Sequence, residues 1–263
     1  MAVTRRQFLA WGTAAGTALF LPTAGASRAG WERIDAARDV LDGAEPRSSG
    51  IRLDLPSVSQ DGSSISLTAE VDSPMTEDDY IEALHLYAAG NPTPEIATLR
   101  FQPRAGKARV GMRIRLDESQ RVVALARTSQ GQWLTAEREV RVTSSGCLVR
   151  ADTYASDNLF QTRIRVPDSF RSGEPGEILT LIQHPRETGL REDDDGEKIP
   201  KRIIEHFAAE LDGQPVVEAE FFRSVAANPY LRFFVSPQES GELELTWRED
   251  TGEKVVESRS VRV

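Results

Sequence analysis

Phe207-Ala208-Ala209-Glu210-Leu211-Asp212-Gly213-Gln214-Pro215-Val216-Val217-Glu218-Ala219-Glu220-Phe221 is the stretch whose reading decides the fold. Apolar side chains alternate on both sides of Asp212-Gly213, at Phe207, Ala209 and Leu211 before it and at Val217, Ala219 and Phe221 after it. A period of two places those side chains on one face of an extended chain, and Asp-Gly is a favourable pair for a tight hairpin turn. The stretch is therefore a β-hairpin with one buried face.

The same period continues outward. Downstream it recurs at Leu231, Phe233 and Val235, at Leu243, Leu245 and Trp247, and from Val255 to Val263. Upstream it appears at Phe160, Thr162, Ile164 and Val166, with a short apolar run from Ile178 to Ile182. A second set lies nearer the N-terminus: Ile51, Leu53 and Leu55; Ile65, Leu67, Ala69 and Val71; Ala97, Leu99 and Phe101; Val110, Met112, Ile114 and Leu116; Val122 to Ala126; Val140 and Val142. Pro56, Asp61-Gly62, Pro92, Pro94 and Gly106 separate these segments at antiparallel spacing. Residues 76–83 are the one rival helix, because Thr76 can cap toward Asp79, but a strand through Leu84 and Leu86 is preferred. The expected fold is all-β, with two immunoglobulin-like β-sandwich domains in tandem.

The domain plan follows from where the alternation stops. Residues 1–29 read as a twin-arginine signal peptide: Arg5-Arg6 with Phe8 and Leu9 behind it, an apolar run over residues 10–22, and small residues before Ala29. That run is shorter than the roughly 20 residues a membrane span needs, so no stable membrane span is expected. Residues 30–49 are polar and read as a linker carrying one helical turn. Residues 50–143 form the first sandwich, 144–158 a second linker bearing Cys147, and 159–263 the second sandwich. Export implies the periplasm.

Composition narrows the function classes. The 263 residues carry a formal charge of −9, and losing Arg5, Arg6 and Arg28 with the leader makes the chain more acidic. That balance excludes a nucleic-acid partner, which rewards clustered positive charge. No Ser-His-Asp arrangement, phosphate-cradling glycine loop or dinucleotide fingerprint is present, so no enzyme is expected. His85, His184 and His206 are three isolated histidines, best read as core or surface residues and not as metal ligands. The acidic run Glu192-Asp193-Asp194-Asp195 lacks the alternating ligand spacing of a calcium loop and reads as a solvated turn. Phe221-Phe222 and Phe233-Phe234 read as core packing, and Trp133 and Trp247 as core or interface residues. No cofactor is expected.

One cysteine cannot form an internal disulfide. Cys147 is either a buried apolar residue or a reactive group. Ser144, Ser145 and Gly146 before it are small and polar, which suits a thiol that must reach other proteins, and Arg150 places a positive charge three residues on that favours the thiolate.

Two stretches carry a family resemblance. Asp72-Ser73-Pro74-Met75, Asn91-Pro92-Thr93-Pro94 and the closing Val142-Thr143-Ser144-Ser145-Gly146-Cys147 resemble the Y subunit of the SoxYZ sulfur-oxidation carriers. His184-Pro185-Arg186-Glu187-Thr188-Gly189, Asn228-Pro229-Tyr230 and Glu239-Ser240-Gly241-Glu242 are similar to the Z subunit. The resemblance implies a non-catalytic carrier that holds sulfur intermediates of thiosulfate oxidation covalently on Cys147 for periplasmic sulfur-oxidation enzymes. It departs in one respect: Leu148-Val149-Arg150 and a whole second domain follow the cysteine, where the family has a free glycine-rich end. Such fusions also resemble the SoxYZ-like proteins associated with a quinoprotein dehydrogenase and its cytochrome, which implies the alternative of a binding or delivery module that does not use Cys147 as a carrier.

Overall fold

The computed structural model describes residues 30–145 and 158–263. The first half contributes β1 (Ile51–Asp54), β2 (Val58–Ser59), β3 (Ile65–Val71), β4 (Ile81–Ala88), β5 (Glu95–Phe101), β6 (Ala108–Ile114), β7 (Gln120–Thr128) and β8 (Trp133–Val142). The second half contributes β9 (Thr162–Arg165), β10 (Gly176–Ile182), β11 (Ile204–Leu211), β12 (Gln214–Phe221), β13 (Tyr230–Val235), β14 (Gly241–Glu249) and β15 (Lys254–Val261). The fold is all-β, as the alternation requires, and consists of tandem β-sandwich domains.

The two halves do not stand apart. One sheet runs β1-β3-β6-β13-β10-β9 and the other β15-β14-β11-β12-β5-β4-β7-β8-β2, so each sheet contains strands from both halves. At the seam of the larger sheet Ala97, Thr98, Leu99, Arg100 and Phe101 pair with Phe221 through Val217. In the smaller sheet Gly111 and Met112 face Arg232 and Leu231, and the Arg113 guanidinium lies 5.3 Å from the Tyr230 ring centroid. Inward side chains from both halves join one core, including Leu99, Phe101, Val110 and Met112 on one side of the seam and Phe207, Val217, Phe221, Phe233 and Trp247 on the other. Phe207 packs against Phe233 at 5.6 Å and Trp247 at 5.3 Å between ring centroids, an aromatic cluster that closes the second sandwich.

Local rules hold where the sequence was explicit. Asp212 and Gly213 take positive φ of 51° and 72°, the left-handed pair a two-residue turn demands, and Leu211 faces Gln214 across it. Pro215 follows at once, beside the bulge that the extra residue Val216 makes in β12 opposite Ala209 and Glu210, a place that tolerates a missing N–H. Thr76 and Asp79 exchange backbone hydrogen bonds, and Thr76 Oγ1 accepts the Asp79 N–H at 3.2 Å. The cap expected there closes a turn, and the chain then enters β4.

Residues 30–49, expected as a linker, carry a packed element. Helix α1 (Asp35–Leu41) presents Ala37 and Leu41, with Ile34 before it, to Tyr87, Val123 and Leu125 on the outer face of the larger sheet. That cover explains why every residue from Val122 to Ala126 is buried: both faces of β7 are out of water, so alternation gives way to a continuous apolar run.

Candidate functional site

Antiparallel registers carry the loops that hold Asn91–Pro94, His184–Gly189 and Asn228–Tyr230 to one end of the molecule, whereas Asp72–Met75 and Glu239–Glu242 turn at the other. β8 leaves the sheet there at Val142 and β9 re-enters at Thr162; the β4–β5, β6–β7, β10–β11 and β12–β13 loops and the β14–β15 hairpin all turn at that end. The segment bearing Cys147 thus starts and finishes among the loops of both halves.

A buried polar hub joins those loops. The Asn91 side chain donates to the Arg115 carbonyl and to Ser224 Oγ, each at 2.8 Å. Its carbonyl oxygen accepts from the Asp117 N–H at 2.9 Å and Gln120 Nε2 at 2.8 Å. All four sites of the amide are used, which is what a buried amide requires. Ser224 passes the link to the Thr93 carbonyl at 3.2 Å. The half-to-half connection is reinforced by main-chain bonds from Arg115 N–H to Ser224 O at 2.6 Å and from Ala226 N–H to Arg113 O at 3.0 Å.

The His184–Gly189 motif forms the other side of the hub. Arg186 is 1% exposed, with its guanidinium donating to the carbonyls of Val225 at 2.7 Å, Ile204 at 3.1 Å and Phe222 at 2.9 Å. A buried arginine on this many carbonyls fixes three chain segments at once. His184 Nδ1 accepts the Arg186 N–H at 3.0 Å, and its Nε2 lies 2.7 Å from the Glu249 carboxylate, which Arg202 Nε also reaches at 2.7 Å. Burial drives the His184 pKa down to about 4 against the opposing hydrogen bond to Glu249, with Arg186 and Arg202 adding to the fall. Burial raises the Glu249 carboxyl, but hydrogen bonds from His184, Thr251 and Arg202 outweigh it and hold the group below the usual carboxylate range. The ring is neutral, with its proton on Nε2 and both nitrogens occupied. It braces the loop.

Both roots of the segment are anchored to this frame. Ser145 Oγ donates to the Asp117 carboxylate, and Asp117 is itself held by Asn91. The Ser144 carbonyl accepts the Gly62 N–H at 2.9 Å, and Thr143 Oγ1 donates to the Gln60 carbonyl at 3.1 Å. On the return, Phe160 N–H donates to the Gln183 carbonyl at 2.8 Å and Gln183 N–H to that of Gln161 at 2.8 Å. The Phe160 ring sits 5.6 Å from His184. Of the residues expected at the site, Ser144 and Ser145 are exposed at the first root; Gly146, Cys147 and Arg150 lie outside the described residues, as does the expected leader. Asn91, Arg186 and Ser224 were not singled out from the sequence as partners. The first two sit in the quoted motifs, but nothing local ties Ser224 to a position 133 residues away.

Among the described residues no group of three or more His, Cys, Asp or Glu side chains is placed to hold a metal ion, and no helix is long and apolar enough to cross a membrane. The Glu192–Asp195 run is exposed, with Asp193 accepting the N–H groups of Asp195 and Glu197 at 3.0 and 2.9 Å.

Two family models match the chain in succession: sulfur oxidation protein SoxY over residues 37–147, and sulphur oxidation protein SoxZ over residues 164–260. Among solved structures, the sulfur carrier protein SoxY from Chlorobium limicola f thiosulfatophilum is 24% identical over 41% of this chain and 94% of its own, with a TM-score of 0.35. A superoxide reductase (neelaredoxin) from Ignicoccus hospitalis is 18% identical over 42% of this chain and 96% of its own, with a TM-score of 0.32. No curated protein matches the chain. With a SoxY domain and a SoxZ domain in tandem, joined through both sheets and meeting around one buried hub, the chain belongs to the SoxYZ family as a fused SoxYZ-type protein.

Proposed function

We propose that this protein is a non-catalytic periplasmic carrier that holds a sulfur intermediate covalently on Cys147 while partner enzymes of thiosulfate oxidation act on it in turn. One observation carries the reading: the SoxY match ends on Cys147, and the residues flanking that segment are anchored where the loops of both halves converge. Partners then meet the thiol and a surface built from both domains together. Joining a cysteine thiolate to the outer sulfur of thiosulfate forms an S–S bond and releases two electrons, so the loading partner must be an oxidising enzyme; the carrier itself supplies only the thiolate. Fusion replaces association of two chains by a tether, so the carrier and its support cannot part on dilution.

Intact-mass and peptide mass spectrometry of protein from thiosulfate-fed cells test this. Adducts of sulfur or sulfonate mass on Cys147 are expected, along with loss of thiosulfate-dependent turnover in Cys147→Ser. An unmodified thiol under those conditions sinks the carrier reading. If Cys147→Ser then keeps partner binding and phenotype, the role is that of a binding or delivery module for a periplasmic dehydrogenase.

A further inference from the structure

The two sheets end in four edge strands that are not alike. β2 has two residues and β1 and β9 four each, whereas β15 has eight. β15 contains no proline or glycine and pairs residue for residue with β14, without a bulge. A long regular edge presents a row of unpaired N–H and C=O groups, the surface on which another strand docks.

Register shows which residues carry that row. The Glu249 N–H donates to the Glu253 carbonyl at 2.8 Å, so that opposite pair is a hydrogen-bonded one, and such pairs alternate along an antiparallel ladder. Val255, Glu257, Arg259 and Val261 therefore turn their main-chain groups toward β14, and Lys254, Val256, Ser258 and Ser260 turn theirs outward. Arg262 continues the outward set, and its carbonyl accepts the Phe170 N–H at 2.7 Å. That bond agrees with the alternation and closes the open row after Ser260. Val256, in the middle of the row, is 46% exposed, one of three large apolar side chains so exposed among the described residues.

We propose that β15 pairs with β15 of a second copy of this chain, antiparallel, about a two-fold axis through Ser258. The inward side chains select the register. Glu257 and Arg259 flank Ser258 and already pair within one chain at 3.0 Å, with Thr162 Oγ1 also donating to Glu257 at 2.8 Å. Centring the axis on Ser258 sets Glu257 of each copy opposite Arg259 of the other, forming a four-charge cluster. Centring it on Val256 sets Glu257 against Val255, and centring it on Ser260 sets Arg259 against Val261. Opposite charges directly across a strand pair attract each other, and inward-pointing charges on an edge resist indiscriminate pairing. Only the Ser258 register turns that resistance into attraction. Val256 is then covered opposite Ser260, and the row supplies about six main-chain hydrogen bonds. Because the axis is normal to the sheet, the two ends that bear the Cys147 segments point in opposite directions. The inference holds whether or not Cys147 carries sulfur.

The test uses the full chain with Cys147→Ser. Sedimentation velocity over a concentration series is expected to show a monomer–dimer equilibrium. Added in that background, Ser258→Cys should form a covalent dimer under mild oxidation; Ser260→Cys should not by itself, but should cross-link when mixed with Val256→Cys. Ser258→Pro removes an N–H that faces solvent in a single copy, so melting should be unchanged while dimerisation falls roughly tenfold or more. A chain that stays monomeric at every concentration overturns the proposal. So does a dimer that survives Ser258→Pro or fails to cross-link at position 258.

Discussion

The fixed tautomer of His184 has a consequence that can be measured. Its Nδ1 accepts a backbone N–H and its Nε2 faces Glu249, so the folded protein holds the ring neutral, with a pKa lowered from 6.5 to about 4, mainly by burial. His85 shares that value for a related reason: burial first, then the charge of Arg100. In the unfolded chain both rings keep their ordinary pKa and take up protons first as pH falls. The stability they contribute is therefore complete above pH 6.5, is lost between 6.5 and about 4, and changes no further below that. The loss is on the order of 3 kcal/mol per histidine. Urea unfolding from pH 7 to 4 should show this slope, and His85→Gln should make it shallower. The sequence identified these histidines as core or surface residues; it gave no sign of Glu249, which meets His184 from 65 residues away.

Among the elements, the strands were legible and the loops that join them were not. Every alternating segment from Ile51 to Val261 became a strand because a period of two can bury one face of a sheet whatever its neighbours are. Helix α1 was legible only as a helical turn in a linker, because three apolar residues, Ile34, Ala37 and Leu41, in a charged stretch gain nothing until Tyr87, Val123 and Leu125 are in place to meet them. The β4–β5 loop behaves similarly. Asn91 in that loop is a turn residue by sequence and a four-bond junction in the fold. Asn91→Ala strands buried groups of both halves and should cost about 2–4 kcal/mol in urea unfolding, and Asn91→Asp, which keeps the acceptor oxygen toward Asp117 but sets a second oxygen against the Arg115 carbonyl in a buried site, should cost at least as much.

At the scale of the whole molecule, the shared sheets make the two families' domains one cooperative body. An inserted protease site between Ser145 and Asn158 offers a direct check. After cleavage the pieces should comigrate under native conditions and melt in a single transition, because β5 with β12 and β6 with β13 still hold them; two independent transitions would show that the seam contributes little. What the sequence by itself determined is the alternating strands, the all-β class, the order of the Y-like and Z-like halves and the position of the lone thiol. Each of these follows from local periodicity or from residues adjacent in the chain. Only the tertiary structure decided that the halves share both sheets, that Asn91, Arg115, Ser224 and Arg186 meet in one hub, and that one long edge is left open among the described residues. Strand pairing between distant segments is chosen by backbone hydrogen bonds that any residue but proline can make, so no side-chain pattern announces which edges will join.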